Sequence, residues 1–417
     1  MSIHVNPLLL MTNESIVSNQ EAESFTQLRQ AIVAPLEAVP VTPRRCVLED
    51  QIIWGRSPVR LDLAGGWTDT PPYCIEHGGR VVNLAVNLNG QPPIQVFARP
   101  IESHELVMRS IDLGVGERLT SYDDVANFMK LGSGFSIARA AFALAGFHPR
   151  FNGAAYGSLE EQLRAMGGGL EISLLAAVPK GSGLGTSSIL ASTLLSTLSD
   201  FCGLGWTHED VFRRTLALEQ LLTSGGGWQD QIGGLEHGVK MIETAPGLEQ
   251  NPVVRWLPER LFSGDYANGM LMLYYTGITR VAHNILGEIV RHMFTGHETT
   301  LESIDQIKRN ASVTNGAIQR QDWAAFTAGI ERSWELNQRL DPGTNPPAIR
   351  ELLGTIQGQL ASAKLLGAGG GGYLLMLAND LDSAHTIRRK LKHSPVNSRA
   401  RFVDFSISQT GVQITRS

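Results

Sequence analysis

Gly181-Ser182-Gly183-Leu184-Gly185-Thr186-Ser187-Ser188 is the stretch on which the reading of this chain turns. Residues 169–178 before it form an apolar run of strand length, and over 184–201 after it apolar residues recur at helical spacing. Glycines between a strand and a helix let the backbone come close to a ligand. They also turn successive N–H groups toward it, while the helix N-terminus favours an anion. Phosphate fits such a loop. Lys180 stands at its start, and the hydroxyls of Thr186, Ser187 and Ser188 are available to phosphate oxygens or to Mg2+. Taken alone, the segment could equally be a glycine-rich turn with a hydroxyl cap. No Gly-Lys-Ser/Thr occurs, so the Walker form is excluded.

Three further segments carry candidate chemistry. On the helix expected over 209–222, Glu219 shares a face with Phe212 and Leu216, and burying it is costly unless it is paired or holds a cation. Eleven residues on, past Ser224-Gly225-Gly226-Gly227-Trp228, Asp230 stands between Gln229 and Gln231, able to take a proton or orient a hydroxyl. Upstream, period-two spacing over 59–63 places Arg60 and Asp62 on one strand face. The turn Ala64-Gly65-Gly66-Trp67-Thr68-Asp69-Thr70-Pro71-Pro72-Tyr73 then presents Thr68, Asp69 and Tyr73, groups suited to a polyhydroxylated ligand. Gly367, Gly369 and Gly372 formally satisfy G-x-G-x-x-G, but the pattern predicts a helix before and a strand after, the reverse of a dinucleotide site. Each of these segments could be structural by itself.

The 417 residues suit two domains, and an apolar share of 42% without glycine is that of a chain with a sizeable core. With Lys+Arg 35 against Asp+Glu 40 and no basic block, neither nucleic acid nor an anionic membrane is expected as a partner. Cys46, Cys74 and Cys202 form no zinc or disulfide pattern, and no signal peptide or membrane span is read, so a soluble protein of the reducing cytoplasm is expected. Glycine, at 44, exceeds average usage by about 15 residues, and the loops described above absorb that surplus.

The pattern predicts strands over 59–63, 81–86, 94–98, 169–178, 270–275 and 373–377. It predicts helices over 184–201, 209–222, 281–294, 301–340 and 349–366. Pro, Gly and Asn accumulate over 246–258, marking a boundary. The expected layout is an α+β chain with an extension or linker at 1–48, a first domain at 49–255 and a second at 256–417.

Together, Arg60 to Asp69, Gly181 to Ser188 and Gly367 to Gly372 resemble the three ordered motifs of the GHMP superfamily of galactokinase, homoserine kinase, mevalonate kinase and phosphomevalonate kinase. The resemblance spans roughly residues 50–380. Within it, Gly65-Gly66-Trp67-Thr68-Asp69-Thr70-Pro71-Pro72-Tyr73, Asn87-Leu88-Asn89-Gly90-Gln91-Pro92-Pro93, Ser110-Ile111-Asp112-Leu113-Gly114 and Tyr274-Tyr275-Thr276-Gly277-Ile278-Thr279-Arg280 look most like the L-fucokinase branch. That branch includes the kinase portion of fucokinase/GDP-fucose pyrophosphorylases, and its sister branch is the heptose 7-phosphate kinases.

The resemblance implies an N-terminal domain like the second domain of ribosomal protein S5 and a ferredoxin-like C-terminal domain, with the active site between them. It implies ATP and Mg2+ and phosphorylation of the anomeric hydroxyl of L-fucose in fucose salvage. Lys180, Gly181, Ser182, Gly183, Leu184, Gly185, Thr186, Ser187 and Ser188 would hold the nucleotide, with Gly369, Gly370 and Gly371 closing over it. Ser187 and Glu219 would hold the metal, Asp230 would act as base or orient the hydroxyl, and Arg60 would face it. Thr68, Asp69, Tyr73, Gly227 and Asp230 would contact the sugar. Galactokinases have Glu-His where this chain has Gly66-Trp67, so those contacts do not carry over. A fused nucleotidyltransferase would need a further domain of several hundred residues, and none is expected here. The alternatives are a heptose-phosphate kinase, with Arg80, Lys180 and Arg280 as candidate phosphate ligands, and a non-catalytic sugar sensor, expected to lose Asp230 or the metal ligands. Oligomeric state is not legible.

Overall fold

Three sheets and the helices between them organise the chain. We analysed a computed structural model that describes residues 14–128, 134–222, 226–264, 267–278 and 285–417; Gly225 and Arg280 lie outside these. In chain order the strands are β1 (Ile53–Ser57), β2 (Val59–Ala64), β3 (Arg80–Leu88), β4 (Ile94–Ile101), β5 (Leu106–Ser110), β6 (Val115–Leu119) and β7 (Gly169–Ala176). They continue with β8 (Val239–Glu243), β9 (Val253–Trp256), β10 (Leu271–Tyr275), β11 (Leu360–Leu365), β12 (Tyr373–Ala378), β13 (Arg401–Val403), β14 (Phe405–Ile407) and β15 (Gln413–Arg416).

One sheet has the order β15-β1-β4-β7-β5-β6, a second β14-β3-β8-β9 with β2 on β3, and a third β11-β12-β10-β13. The helix Thr186–Phe201 lies on β1 and β4, and its buried face of Leu194, Leu195, Leu198 and Phe201 joins the main apolar core. A second core runs through both halves of the chain. Val59, Leu61 and Leu63 of β2 meet Phe326 and Ile330 of the helix Trp323–Leu340 and Leu375 of β12. Alternation along β2 therefore does two jobs: the apolar residues weld the halves together, and Arg60 and Asp62 are left on the opposite face.

The expected helix over 349–366 is shorter. It runs Pro347–Ile356, and Leu360–Leu365 is a strand, because its alternating side chains have β12 to pair with. The glycines at 367–372 are therefore the tip of an antiparallel hairpin rather than a helix-to-strand turn. The long helix over 301–340 is two, Glu298–Arg320 and Trp323–Leu340. Between them Gln321 takes φ +58°, and the Asp322 side chain caps the second helix by accepting from Ala325 N–H at 3.0 Å.

The extension does not behave as a linker. The helix Glu14–Ala38 leans on the helix His208–Leu221, Val33 is buried in the main core, and Cys46 N–H donates to Phe201 carbonyl at 2.9 Å. At the other end, β13 completes the third sheet, after which β14 pairs with β3 and β15 with β1. Residues from 405 onward thus return to the sheets of the first half instead of ending in a domain spanning 256–417. Local periodicity carries no information about such long-range pairing. No described helix is long and apolar enough to cross a membrane.

Candidate active site

Arg60 is the point where the site is assembled. Its side chain is 4% exposed, and both Nε and Nη2 lie 2.7 Å from Asp230 Oδ1. Its Nη1 donates to the Gly183 carbonyl at 2.6 Å. One guanidinium thus ties the helix Gln229–Leu235, which carries Asp230, to the glycine loop at 181–188. Burying a charge without partners is costly, so this geometry is strongly favoured once β2 is in place.

The helix can approach because of what it lacks. A Cβ on Gly233 would sit 2.6 Å from Arg60 Cβ, and one on Gly234 2.6 Å from Ile189 Cγ2. Gly185, at φ +74°, lies under Asp230, where a Cβ would be 3.0 Å from the carboxyl carbon. Asp230 remains 25% exposed, open toward the loop.

Glu219 arrives on the buried face of the helix His208–Leu221, and the Ser188 hydroxyl donates to its Oε1. Burial pushes this carboxyl up to about 8; the Ser188 bond opposes the shift, while the like charges of Asp230 and Asp69 add to it. Ser187, the residue expected to partner Glu219, is exposed. Successive helical residues turn by about 100°, so Ser188 faces Glu219 and Ser187 faces away. On the open side of the loop Lys180 and Gly181 are exposed, while Ser182 is buried with its hydroxyl 3.1 Å from Thr186 Oγ1.

The turn after β2 differs from expectation. Asp69 is 3% exposed; its Oδ1 accepts from Trp67 N–H and its Oδ2 from Gln229 N–H, each at 3.0 Å. Burial pushes its carboxyl up to about 7, against the Gln229 bond and with the neighbouring charges of Asp230 and Asp62. Gly227 packs on that carboxylate, with room for no side chain: a Cβ would fall 2.0 Å from Oδ2. Asp69 and Gly227 therefore lock the turn to the helix of Asp230.

Thr68 is fully buried, its one hydroxyl hydrogen shared between the Gly65 and Arg80 carbonyls, each at 2.8 Å, while its oxygen accepts from Arg80 N–H at 2.9 Å, so the hydroxyl is enclosed by the fold and turned away from any sugar. Tyr73 points elsewhere. Its hydroxyl donates to Asp305 at 3.0 Å, and its ring packs with Ile289, Val290, Met293 and Ile304, where apolar surface outweighs ligand contact.

The late glycine tip packs directly against the loop. Gly372, at φ +82°, would place a Cβ 2.4 Å from the Ser182 carbonyl, and Tyr373 N–H donates to that carbonyl at 3.0 Å. Gly370 and Gly371 are buried, with Gly370 N–H donating to the Thr344 carbonyl at 2.7 Å and Gly371 packed on Ile278. Gly369 packs on Thr344.

A glycine loop, a carboxylate bridged to it by an arginine, and a second carboxylate beside a hydroxyl form an arrangement whose chemistry would suit phosphoryl transfer. The profile described as GHMP kinases N terminal domain matches residues 151–236, and that described as GHMP kinases C terminal matches 314–397. The chain belongs to the GHMP kinase superfamily. It is 50% identical over 398 residues to the L-fucokinase/L-fucose-1-P guanylyltransferase of Bacteroides fragilis, covering 95% of this chain and 42% of the relative. It is 32% identical over 338 residues to the bifunctional fucokinase/GDP-fucose pyrophosphorylase of Arabidopsis thaliana, covering 80% and 30%. The chain thus spans less than half the length of these relatives. Among solved structures, a D-glycero-D-manno-heptose 1-phosphate kinase from Bacteriodes thetaiotaomicron superposes with a TM-score of 0.62 at 18% identity, covering 87% of this chain and 98% of that one, a likeness of fold.

Two features of this GHMP kinase escaped the sequence reading. One is the pair of backbone bonds that turns Asp69 into a strut. The other is Lys364, buried in β11 with its ammonium 2.7 Å from Asp62 Oδ2. The signal for it was a lysine inside the apolar run 360–366, which must find a partner when buried.

Thr68 provides a test of the corrected assignment. Thr68→Val removes a buried hydroxyl with three hydrogen bonds, and should destabilise the fold by about 1–3 kcal/mol while leaving sugar affinity of the folded protein unchanged. Thermal melts and sugar titration read the two effects; lost sugar affinity at an unchanged melting point would return Thr68 to the ligand site.

Proposed function

We propose that this chain transfers the γ-phosphoryl group of ATP to the anomeric hydroxyl of L-fucose, giving fucose 1-phosphate and ADP. The observation that carries the transfer reaction is the Arg60 bridge between Asp230 and the loop carbonyl of Gly183. It puts a proton acceptor next to a phosphate cradle. The choice of fucose rests on the 50% identity to the Bacteroides fragilis relative, and the proposal concerns the kinase step alone.

The N–H groups over 181–188 would hold the β and γ phosphates. The sugar hydroxyl would lie against Asp230, which accepts its proton as the oxygen–phosphorus bond forms and the bond to ADP breaks. An anomeric hydroxyl is more acidic than an ordinary alcohol, which suits a carboxylate base. Arg60, already bound to both sides, would stay beside the charge moving between them.

Glu219 fits Mg2+ through its chemistry: a buried carboxylate among the like charges of Asp69 and Asp230 gains from a hard dication, and the hydroxyl of Ser188, rather than that of Ser187, stands beside it at the helix start. Bound there, the ion would offset charge on the phosphates. The three free cysteines accord with a reducing cytoplasm.

A heptose-phosphate substrate is the second reading, and Arg80 weakens it. Its guanidinium is bound to Glu243 Oε1, with Nε and Nη2 both at 2.6 Å, and to the Ser312 hydroxyl, which leaves little of it for a substrate phosphate. Lys180 stands on the phosphate loop itself.

ATP consumption against fucose, galactose, mannose, arabinose and heptose 7-phosphate tests the proposal. Fucose should turn over best, and Asp230→Asn should cost roughly 100-fold or more in turnover with ATP binding retained. No turnover with any free sugar would overturn the reading, and wild-type turnover by the variant would remove Asp230 from it.

A pH dependence follows from Glu219. Its folded carboxyl, near 8, lies above its unfolded value, so below 8 a cation must displace a proton. Apparent Mg2+ affinity in the presence of ADP should therefore tighten as pH rises from about 7 to about 9. A pH-independent affinity over that range would argue against Glu219 as a ligand.

A further inference from the structure

The buried pair Lys364–Asp62 lies beside the reacting groups, and nothing in the transfer step uses it. The Lys364 ammonium donates to Asp62 Oδ2 at 2.7 Å, to the Asp62 carbonyl at 3.1 Å and to the Leu63 carbonyl at 3.4 Å. All three of its hydrogens are engaged. The side chains are 1% and 2% exposed. Lys364 belongs to β11 and Asp62 to β2, strands of different sheets with no ladder between them. The pair is therefore a pin across the join between the two halves of the chain.

Both ends of the pin lead to the site. Asp62 is two residues beyond Arg60 on the same strand face, and Lys364 enters the hairpin tip where Gly367 abuts Gly183, whose carbonyl Arg60 holds. The Asp62 carboxylate also lies against the turn that Asp69 ties to the helix of Asp230. A Cβ on Gly66 would lie 3.0 Å from Asp62 Oδ2 and 3.1 Å from Gln229 Nε2, so that glycine leaves room for both side chains. Among the described residues Asp62 Oδ1 has no hydrogen-bond partner, so the charge is balanced through one oxygen by one lysine. Arg60 is the other cation in this neighbourhood. Without Lys364, the buried Asp62 anion would compete with Asp230 for the Arg60 guanidinium.

We propose that Lys364 is a positioning residue of the phosphoryl-transfer site: by neutralising Asp62 it leaves Arg60 to Asp230 and Gly183, and it seats the hairpin tip against the phosphate loop. The proposal rests on the kinase reading. Removing one partner of a buried pair leaves an uncompensated charge, whereas replacing both is close to neutral. This difference supplies the test.

Lys364→Met, Asp62→Asn and the double variant are compared for kcat, for KM of ATP and sugar, and for melting temperature, with kcat referred to folded protein. Lys364→Met should lower kcat on the order of 100-fold, the cost of a displaced reacting group, with both KM values little changed. The double variant should recover most of that loss. Should Lys364→Met fail to fold, the double variant decides against Asp62→Asn: with Asp62 neutral Arg60 has no rival, so the double should keep a kcat close to that of Asp62→Asn, and a double variant roughly 100-fold below it would overturn the proposal. Folded Lys364→Met with unaltered kcat, or a double variant no more active than the worse single, would overturn the proposal. Absence of turnover by the unaltered chain would instead sink the kinase reading, so the two failures are distinct.

Discussion

A single buried guanidinium constrains most of this molecule. Arg60 can be kept out of water only if acceptors come to it from two directions, and they do so from segments far apart in the chain, Asp230 and the Gly183 carbonyl. That requirement fixes how close the helix Gln229–Leu235 lies to β2, which Gly233 permits, and where the glycine loop at 181–188 runs, against which the hairpin tip packs. The apolar face of β2 meanwhile holds the two halves together through Phe326, Ile330 and Leu375. One strand thus supplies the weld on one face and the chemistry on the other.

Around that cation the charges are uneven. Asp62, Asp69, Glu219 and Asp230 crowd a region in which Arg60 and Lys364 are the buried cations among the described residues close enough to pair with them. Burial raises the Glu219 and Asp69 carboxyls, and each feels Asp230 as a like charge. The division of labour follows from the partners. Asp69 is tied by backbone N–H groups and holds the turn, Asp62 is neutralised by lysine, and Asp230 stays partly open. Glu219 is the carboxylate that gains most from a cation arriving with the nucleotide. In the proposed reaction that excess of negative charge would be met by the cation that accompanies the nucleotide.

Much of this was legible in the residues, and the limit is physical. Glycine spacing marked the close-packed loop at 181–188, and the apolar stripe marked Glu219 as a buried acid. Alternation over 59–63 put Arg60 and Asp62 on one face. These are local signals. What sequence could not show was direction at the next level: whether Thr68 and Tyr73 point to a ligand or into the fold, and whether Ser187 or Ser188 turns to Glu219. The first depends on Arg80 and Asp305, the second on the pose of a helix against its neighbour. In the same way 349–366 kept a helix-compatible composition to its end, and only pairing with β12 makes its second half a strand. The tail strands β14 and β15 and the Lys364–Asp62 pin join positions hundreds of residues apart, which no periodicity records.

In the proposed reaction Arg60 holds together the carboxylate that would meet the sugar and the loop that would meet the phosphates, and a crystal structure with fucose and a non-hydrolysable ATP analogue tests this most directly. The account predicts the γ-phosphate within the loop at 181–188 and the anomeric oxygen within hydrogen-bond distance of Asp230, with the Arg60 contacts to Asp230 and Gly183 retained. Phosphates bound outside the loop, or a sugar whose anomeric oxygen lies against another group while Asp230 turns away, would contradict it.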